Sequence, residues 1–267
     1  MHIKPLHILL AALFLGSCND IAPNDRLIEV PATAAKRKVL VEEFTGQRCS
    51  NCPAAAAELA RLQAQYGADS LIVVAIHGGK LALMPATNPK GLATTLGNSY
   101  AEHWGYVNSV PNALVNRQRA GSQKDGWAAK IRTAFEGESA MNLKLATTYN
   151  AANRELQVSA TAQALTKSIA GNLQLWLVED GIVALQKYPE GVQKQDHIHN
   201  HVFRASLNGD WGESISLDAN GEKTFIHKLK LPQGVKADKA AVVAFVYNDS
   251  GVLQVESRKV GIEGYKK

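Results

Sequence analysis

Apolar positions along this chain fall into patterns that change with position. Residues 38–46 are largely β-branched and apolar and run into a turn, which reads as a buried strand. Pro53 then opens an alanine-rich segment, 54–66, with strong helix propensity. Proline is tolerated there because the first turn of a helix has no partner for that N–H to lose. Leu59, Leu62 and Tyr66 recur at three- and four-residue steps and make one apolar stripe, which Gly67 ends. Residues 71–77 are a second apolar run. Strand, helix, strand predicts a β-α-β unit with a parallel pair and a right-handed crossover. Residues 78–106 read as an insert with helix over 91–104. A turn and short strand follow at 109–116, then a closing helix at 123–135.

From Met141 the segments become short and alternating, at 142–148, 155–162, 172–178, 197–205, 223–229, 240–247 and 253–260. Asn208-Gly209-Asp210 and Asn220-Gly221 are strong turn signals between them. Short strands at this spacing predict an all-β sandwich of immunoglobulin-like kind. The expected organisation is an α/β domain over 37–137, with its insert at 78–106, and a sandwich domain over 138–267. The boundary is expected near 136–140.

The first residues carry a different signal. A lysine and a histidine precede an apolar run from Leu6 to Leu15, and Gly16-Ser17-Cys18 follows. A charged start, a short apolar core and a small-residue end make a secretory signal, expected over 1–17. A membrane-crossing helix needs roughly twenty apolar residues, twice what is here. Leu15-Gly16-Ser17-Cys18 looks like a bacterial lipobox, which implies cleavage before Cys18 and lipidation of its thiol. The plainer alternative is an ordinary signal with a chance cysteine. Residues 18–36, polar and with Pro23 and Pro31, fit a flexible tether. The expected location is the cell envelope, lipid-anchored, with the membrane left open by these residues.

Composition narrows the chemistry. The formal net charge is +5 with basic residues scattered, so no basic stripe suggests nucleic acid. Apart from Cys18 there are two cysteines, Cys49 and Cys52. An exported protein usually uses cysteines to staple distant segments. A bridge between these two closes so small a loop that it constrains the unfolded chain little. The pair is better suited to redox exchange.

Glu43 to Pro53, with Cys49-Ser50-Asn51-Cys52 at a helix start, resembles the active-site segment of the thioredoxin superfamily, and the likeness covers about 38–135. A thiolate is the nucleophile in such sites, and a helix N-terminus favours the anion; Arg48 beside it should help. The resemblance implies that Cys49 is the attacking thiol and Cys52 the resolving one. It implies that Glu43 is a proton shuttle for Cys52. Glu42 is adjacent, alternation turns one of the two towards the helix, and the alternative is that both are surface charges. It also implies that Val110-Pro111 forms a cis-proline loop against the disulfide. The fold expected is thus an α/β thioredoxin-like domain followed by an all-β immunoglobulin-like sandwich domain. Arg48 replaces the usual aromatic, and Ser50-Asn51 replaces the familiar dipeptides, so the redox direction stays open.

The whole chain resembles the Omp28-related outer-membrane lipoproteins of Bacteroidetes-type bacteria. The lipobox, Glu42-Glu43-Phe44-Thr45-Gly46-Gln47 leading into Cys-x-x-Cys-Pro, and a tail containing His199-Asn200-His201-Val202-Phe203-Arg204 carry the likeness. It implies an outer-membrane or surface protein, with thiol–disulfide exchange on exported proteins or redox partners at Cys49, or an adhesin, receptor or assembly factor using the same scaffold. The sandwich is expected to meet a protein partner. No cofactor is expected beyond the Cys49–Cys52 disulfide. His197, His199 and His201 alternate, so a strand would turn all three to one face. They are nearly collinear at about 7 Å steps, which disfavours one metal ion. His77, at a strand end, points towards the active-site side or is a plain loop histidine.

Overall fold

A computed structural model describes residues 36–122 and 124–261. The expected signal, Cys18 and all but the last residue of the tether lie outside these. β1 (Val39–Thr45) and β2 (Leu71–His77) are buried on both faces, as their uninterrupted apolar runs require. They pair in parallel, from Val39 opposite Leu71 to Thr45 opposite His77. α1 (Cys52–Tyr66) makes the crossover and buries Cys52, Ala55, Leu59 and Leu62. Removing each leucine from water contributes about 1.5–3 kcal/mol. Gly67, at φ 90, turns the chain away while its N–H donates to the Gln63 carbonyl at 2.8 Å.

α2 (Thr95–His103) sits in the insert and is capped by the Thr94 hydroxyl, which accepts from Gly97 N–H at 2.9 Å. β3 (Asn112–Val115) runs antiparallel to β1 and turns into β4 (Gln118–Gly121) through Asn116 and Arg117. Both turn residues have positive φ, 48 and 63, as two-residue hairpins whose twist matches their strands demand. α3 (Trp127–Phe135) begins later than the sequence predicts, because a 3-10 turn, Lys124–Gly126, precedes it.

The rest is β structure. β5 (Met141–Asn150), β6 (Glu155–Ala164), β7 (Ile169–Glu179), β8 (Ile182–Lys187) and β9 (Gln193–His199) come first. β10 (Val202–Ser206), β11 (Glu213–Leu217), β12 (Glu222–Lys230), β13 (Ala240–Asn248) and β14 (Gly251–Lys259) complete it. β8 and β11 are not foreseen by the alternation. The single strand expected at 197–205 is two, because the chain turns at Asn200 and His201, with His201 at φ 56.

The expected boundary near 136–140 does not interrupt the sheet. A nine-stranded sheet runs β14-β13-β7-β10-β2-β1-β3-β4, with β11 also paired to β7. β10 lies parallel to β2, Val202 opposite Ala75, and Ala75 N–H donates to the His201 carbonyl at 2.8 Å. The β2 edge is buried, so its backbone groups need partners, and the later strand supplies them. The described residues pack as one compact unit. β12-β6-β5 form a second sheet, and β8-β9 a separate ribbon.

The three larger cores among the described residues follow from side-chain alternation. Leu156, Val158 and Ala160 of the small sheet pack on Leu173, Leu175, Val242 and Ala244 of the large one. The large sheet's other face buries Phe44, Tyr100, Trp176, Phe203 and Phe245. α1 and α3 cover Val39, Val41, Leu59, Trp127 and Ile131. Among the described residues, no helix is long and apolar enough to cross a membrane.

Candidate functional site around Cys49 and Cys52

Alternation along β1 sends Glu42 and Glu43 to opposite faces, and both are buried. Glu42 faces the aromatic core, where Arg117 Nε lies 3.4 Å from its Oε1. The Arg117 guanidinium stands 3.9 Å from the centre of the Tyr247 ring and 5.0 Å from that of Phe245. Glu43 faces α1 and lines a cavity with Cys52. Its Oε1 has no hydrogen-bond partner, and burial pushes its carboxyl up to about 8.

Cys49 and Cys52 form a disulfide at the start of α1. Asn51 gives no side-chain cap, so the first-turn N–H groups keep their partial positive charge. The Val110–Pro111 peptide is cis, and Cys49 Sγ lies 3.6 Å from the Val110 carbonyl oxygen. Asn112 Nδ2 holds this loop by donating to Ser109 O at 2.7 Å and Ser109 Oγ at 2.9 Å. The structure therefore brings Cys49, Cys52, Glu43 and Pro111 to one end of the sheet. Arg48 is exposed.

The β8-β9 ribbon closes over this segment. Gln186 Nε2 donates to Cys49 O at 2.8 Å, and Lys187 N–H to Gln47 O at 2.7 Å. Gln47, fully buried, donates to Lys90 O and Leu185 O and accepts from Leu92 N–H. The insert and the ribbon are thus stitched to the loop before the disulfide. Cys49 and Cys52 are consequently 3% and 2% exposed. Gln186 lies 137 residues from Cys49, and no local pattern in the sequence marks it.

Gly46 shows how tight this stitching is. A Cβ there would stand 2.6 Å from the Leu81 carbonyl carbon, a backbone atom that cannot rotate aside. Gly46→Ala is expected to cost about 1–3 kcal/mol, the range for overpacking, read as a lower urea midpoint with unchanged slope.

The cavity beside Cys52 measures about 660 Å³, and His77, Gln186, Tyr188, His197 and His199 also line it. His77 ends β2 and is buried rather than in a loop. Its ring packs edge-on against His199 at 5.2 Å, and His199 against His197 at 4.5 Å. Tyr188 Oη lies 2.9 Å from His197 Nδ1. Burial pushes His77 well below the usual imidazole range and His199 down to about 4, so both are neutral. The expectation of three histidines on one strand face needs correction. The turn at His201 takes it off β9, and its Nδ1 lies 3.1 Å from Asp180 Oδ1. Among the described residues, no group of three or more His, Cys, Asp or Glu is arranged to hold a metal.

Comparison with known proteins places this arrangement. HBP35 of Porphyromonas gingivalis superposes with a TM-score of 0.67 at 15% identity, over 88% of this chain and 80% of that chain. At that identity the likeness speaks for the fold alone: mostly β, with mixed sheets and few helices. A domain of the outer membrane lipoprotein Omp28 from Porphyromonas gingivalis is 23% identical, over 47% of this chain and 92% of that chain, with a TM-score of 0.34. Among curated proteins there is no match. The family described as outer membrane protein Omp28 matches residues 97–264. That stretch begins after the cysteine pair and takes in the cis-proline loop, the ribbon over the disulfide and the strands from β3 to β14. It spans more than half of the sequence, and the chain therefore belongs to the Omp28 outer membrane protein family.

Proposed function

We propose that this chain is an envelope thiol–disulfide exchange protein acting on exported proteins through Cys49 and Cys52. In this reading the unit around β1, α1, β2 and β3 is thioredoxin-like and the stacked sheets are an immunoglobulin-like sandwich. Lipidated Cys18 tethers both to the outer membrane. The observation that carries it is a disulfide at an uncapped helix start, 3.6 Å from the Val110 carbonyl of the cis Val110–Pro111 peptide, with the buried Glu43 carboxyl, its Oε1 without a partner, in the cavity behind it.

The chemistry runs through two thiols. The reduced Cys49 thiolate attacks a substrate disulfide, and one substrate sulfur leaves as a thiolate. Once ionised, Glu43 takes the proton of Cys52, whose thiolate attacks Cys49 Sγ. The mixed disulfide breaks, the second substrate thiolate departs, and the Cys49–Cys52 bond forms. The reverse sequence oxidises a substrate dithiol with the same contacts. Cys52→Ala, expressed in the native envelope, is expected to hold cysteine-bearing partners on Cys49 as reducible adducts. Adding Cys49→Ser should remove all of them. A folded, anchored Cys52→Ala protein with no adducts would defeat the exchange reading.

A second reading draws on the near-complete burial of both cysteines beneath the ribbon. Here the chain is a surface binding protein, an adhesin, receptor or assembly factor, and the disulfide is a structural clip. Wild-type behaviour of the Cys49→Ser/Cys52→Ser double variant would favour it.

A further inference from the structure

Three buried polar atoms without partners belong to residues lining the same cavity: Glu43 Oε1, His77 Nδ1 and His199 Nε2. An unsatisfied buried group costs about 1–3 kcal/mol, and three around one space call for a common partner. At about 660 Å³ the cavity has room for several waters, each needing about 30 Å³ of liquid volume and two to four polar partners. The imidazoles form a graded series. His77 and His199 are 3% and 7% exposed, and His197 is partly exposed at the rim. The His199 ring is held by a hydrogen bond to the backbone of Leu185, so Nε2 is the nitrogen left without a partner.

The sheet explains the placement. Thr45 pairs with His77 and Glu43 with Ala75, so Glu43 and His77 share a face of neighbouring parallel strands, two positions apart along them. The wall nearest Glu43 is otherwise apolar, with Val73, Ala75 and Leu59. The charged and titratable groups around the imidazoles are few. Glu43 comes from β1, Cys52 from α1, Tyr188 from the ribbon turn and Arg204 from β10. Lys194 and Asp196 flank His197 on β9, and the Asp180–His201 pair lies at the rim through His201. Arg204 is engaged by Glu179 at 3.4 Å. The cations beside the rings favour neutral imidazole, the form that accepts a proton.

We propose that this cavity is a hydrated proton path in which His77, His199 and His197 carry protons between Glu43 and solvent. The proposal rests on the exchange reading above. When Cys52 attacks, its proton passes to the Glu43 carboxylate, the Cys52–Cys49 bond forms and the bond from Cys49 to substrate breaks. The substrate sulfur leaves as a thiolate and takes a proton from bulk water. Glu43 is then neutral, as it is in the resting fold below about pH 8, and must lose that proton before it can take the next one from Cys52. Cavity water passes that proton to His77, then through His199 to His197 and out, so the proton count closes.

The test measures the reaction of the reduced protein with oxidised glutathione from pH 6 to 9, in wild type, His77→Gln, His199→Gln and Glu43→Gln. The histidine variants are expected to react about tenfold more slowly, a modest share of the 10²–10⁴-fold that general acid–base catalysis contributes. Their pH dependence should flatten, and the thiol–disulfide equilibrium constant should stay unchanged. Added imidazole should restore the rate of His77→Ala, and neither histidine change should slow Glu43→Gln further. If a His77 variant fails to fold, His197→Ala at the rim serves the same comparison. Folded histidine variants with wild-type rates and pH profiles would overturn the path while leaving the exchange reading intact. A loss that neither pH nor imidazole moves would also overturn it. A wild-type protein inert to oxidised glutathione would overturn both.

Discussion

Arg117→Ala is expected to destabilise the fold by about 3–5 kcal/mol, the range for removing one partner of a buried ion pair. The change leaves the Glu42 carboxyl, 1% exposed, beside an empty space. Burial pushes Glu42 upward and Arg117 holds it down; without Arg117 only the upward influence is left. The variant also loses a planar cation stacked within 3.9 Å of the Tyr247 ring centre, a contribution of up to about 2 kcal/mol when desolvated. Urea denaturation at pH 7 measures the sum. The paired change Glu42→Gln/Arg117→Met should recover much of the loss, because apolar replacement of a buried pair is often neutral. A single variant within 1 kcal/mol of wild type would mean that water reaches Glu42.

Glu43 predicts an equally large effect with a distinct pH signature. In the unfolded chain its carboxyl titrates near 4.5, and in the fold burial raises it to about 8. Between these values the native state keeps a proton that the unfolded chain has released, so stability falls as pH rises. At about 1.36 kcal/mol per unit, the fall is on the order of 4–5 kcal/mol across the window. His77 and His199 work from the other side. Both are pushed below 6.5, His199 to about 4, so the unfolded chain takes up protons first and stability falls as pH drops below that value. Maximum stability is expected near pH 6.5. Glu43→Gln should lose most of the decline between pH 6.5 and 9 while keeping the decline on the acid side. Urea midpoints of both proteins at pH 5, 6.5 and 9 check this. Parallel curves above pH 6.5 would show that Glu43 is not held neutral in the fold.

Local pattern reveals one half of this site and hides the other. The apolar runs of β1 and β2, the alanine stripe of α1 and the isolated Cys49/Cys52 pair are written in neighbouring residues, and so is the opposed placement of Glu42 and Glu43. The cavity is not. Its far wall comes from Gln186, Tyr188, His197 and His199, which reach Cys52 only because β10 pairs with β2 and the ribbon folds back over the loop. Nothing local in 182–187 marks a strand that caps a site laid down well over a hundred residues earlier. The histidine alternation misleads for a conformational reason. A left-handed backbone at His201 ends the period-two pattern that residue type alone suggests. The boundary near 136–140 is a change of pattern without a break in the sheet, since an open β2 edge accepts a partner from any distance in sequence.

That shared sheet has a bearing on how the protein is made. During synthesis β1 and β2 emerge before the strand that completes the β2 edge, which arrives only with Val202–Ser206. Until then, an apolar parallel strand has one side free to pair with a neighbouring nascent chain. Long-range pairing of this kind raises the contact order and slows the search for the native topology. The cysteine pair at the head of α1 is uncovered throughout that interval, because Gln186 and its ribbon arrive equally late. Newly made molecules should therefore pass through an aggregation-prone period in which the cysteine pair is more open to solvent than in the finished fold.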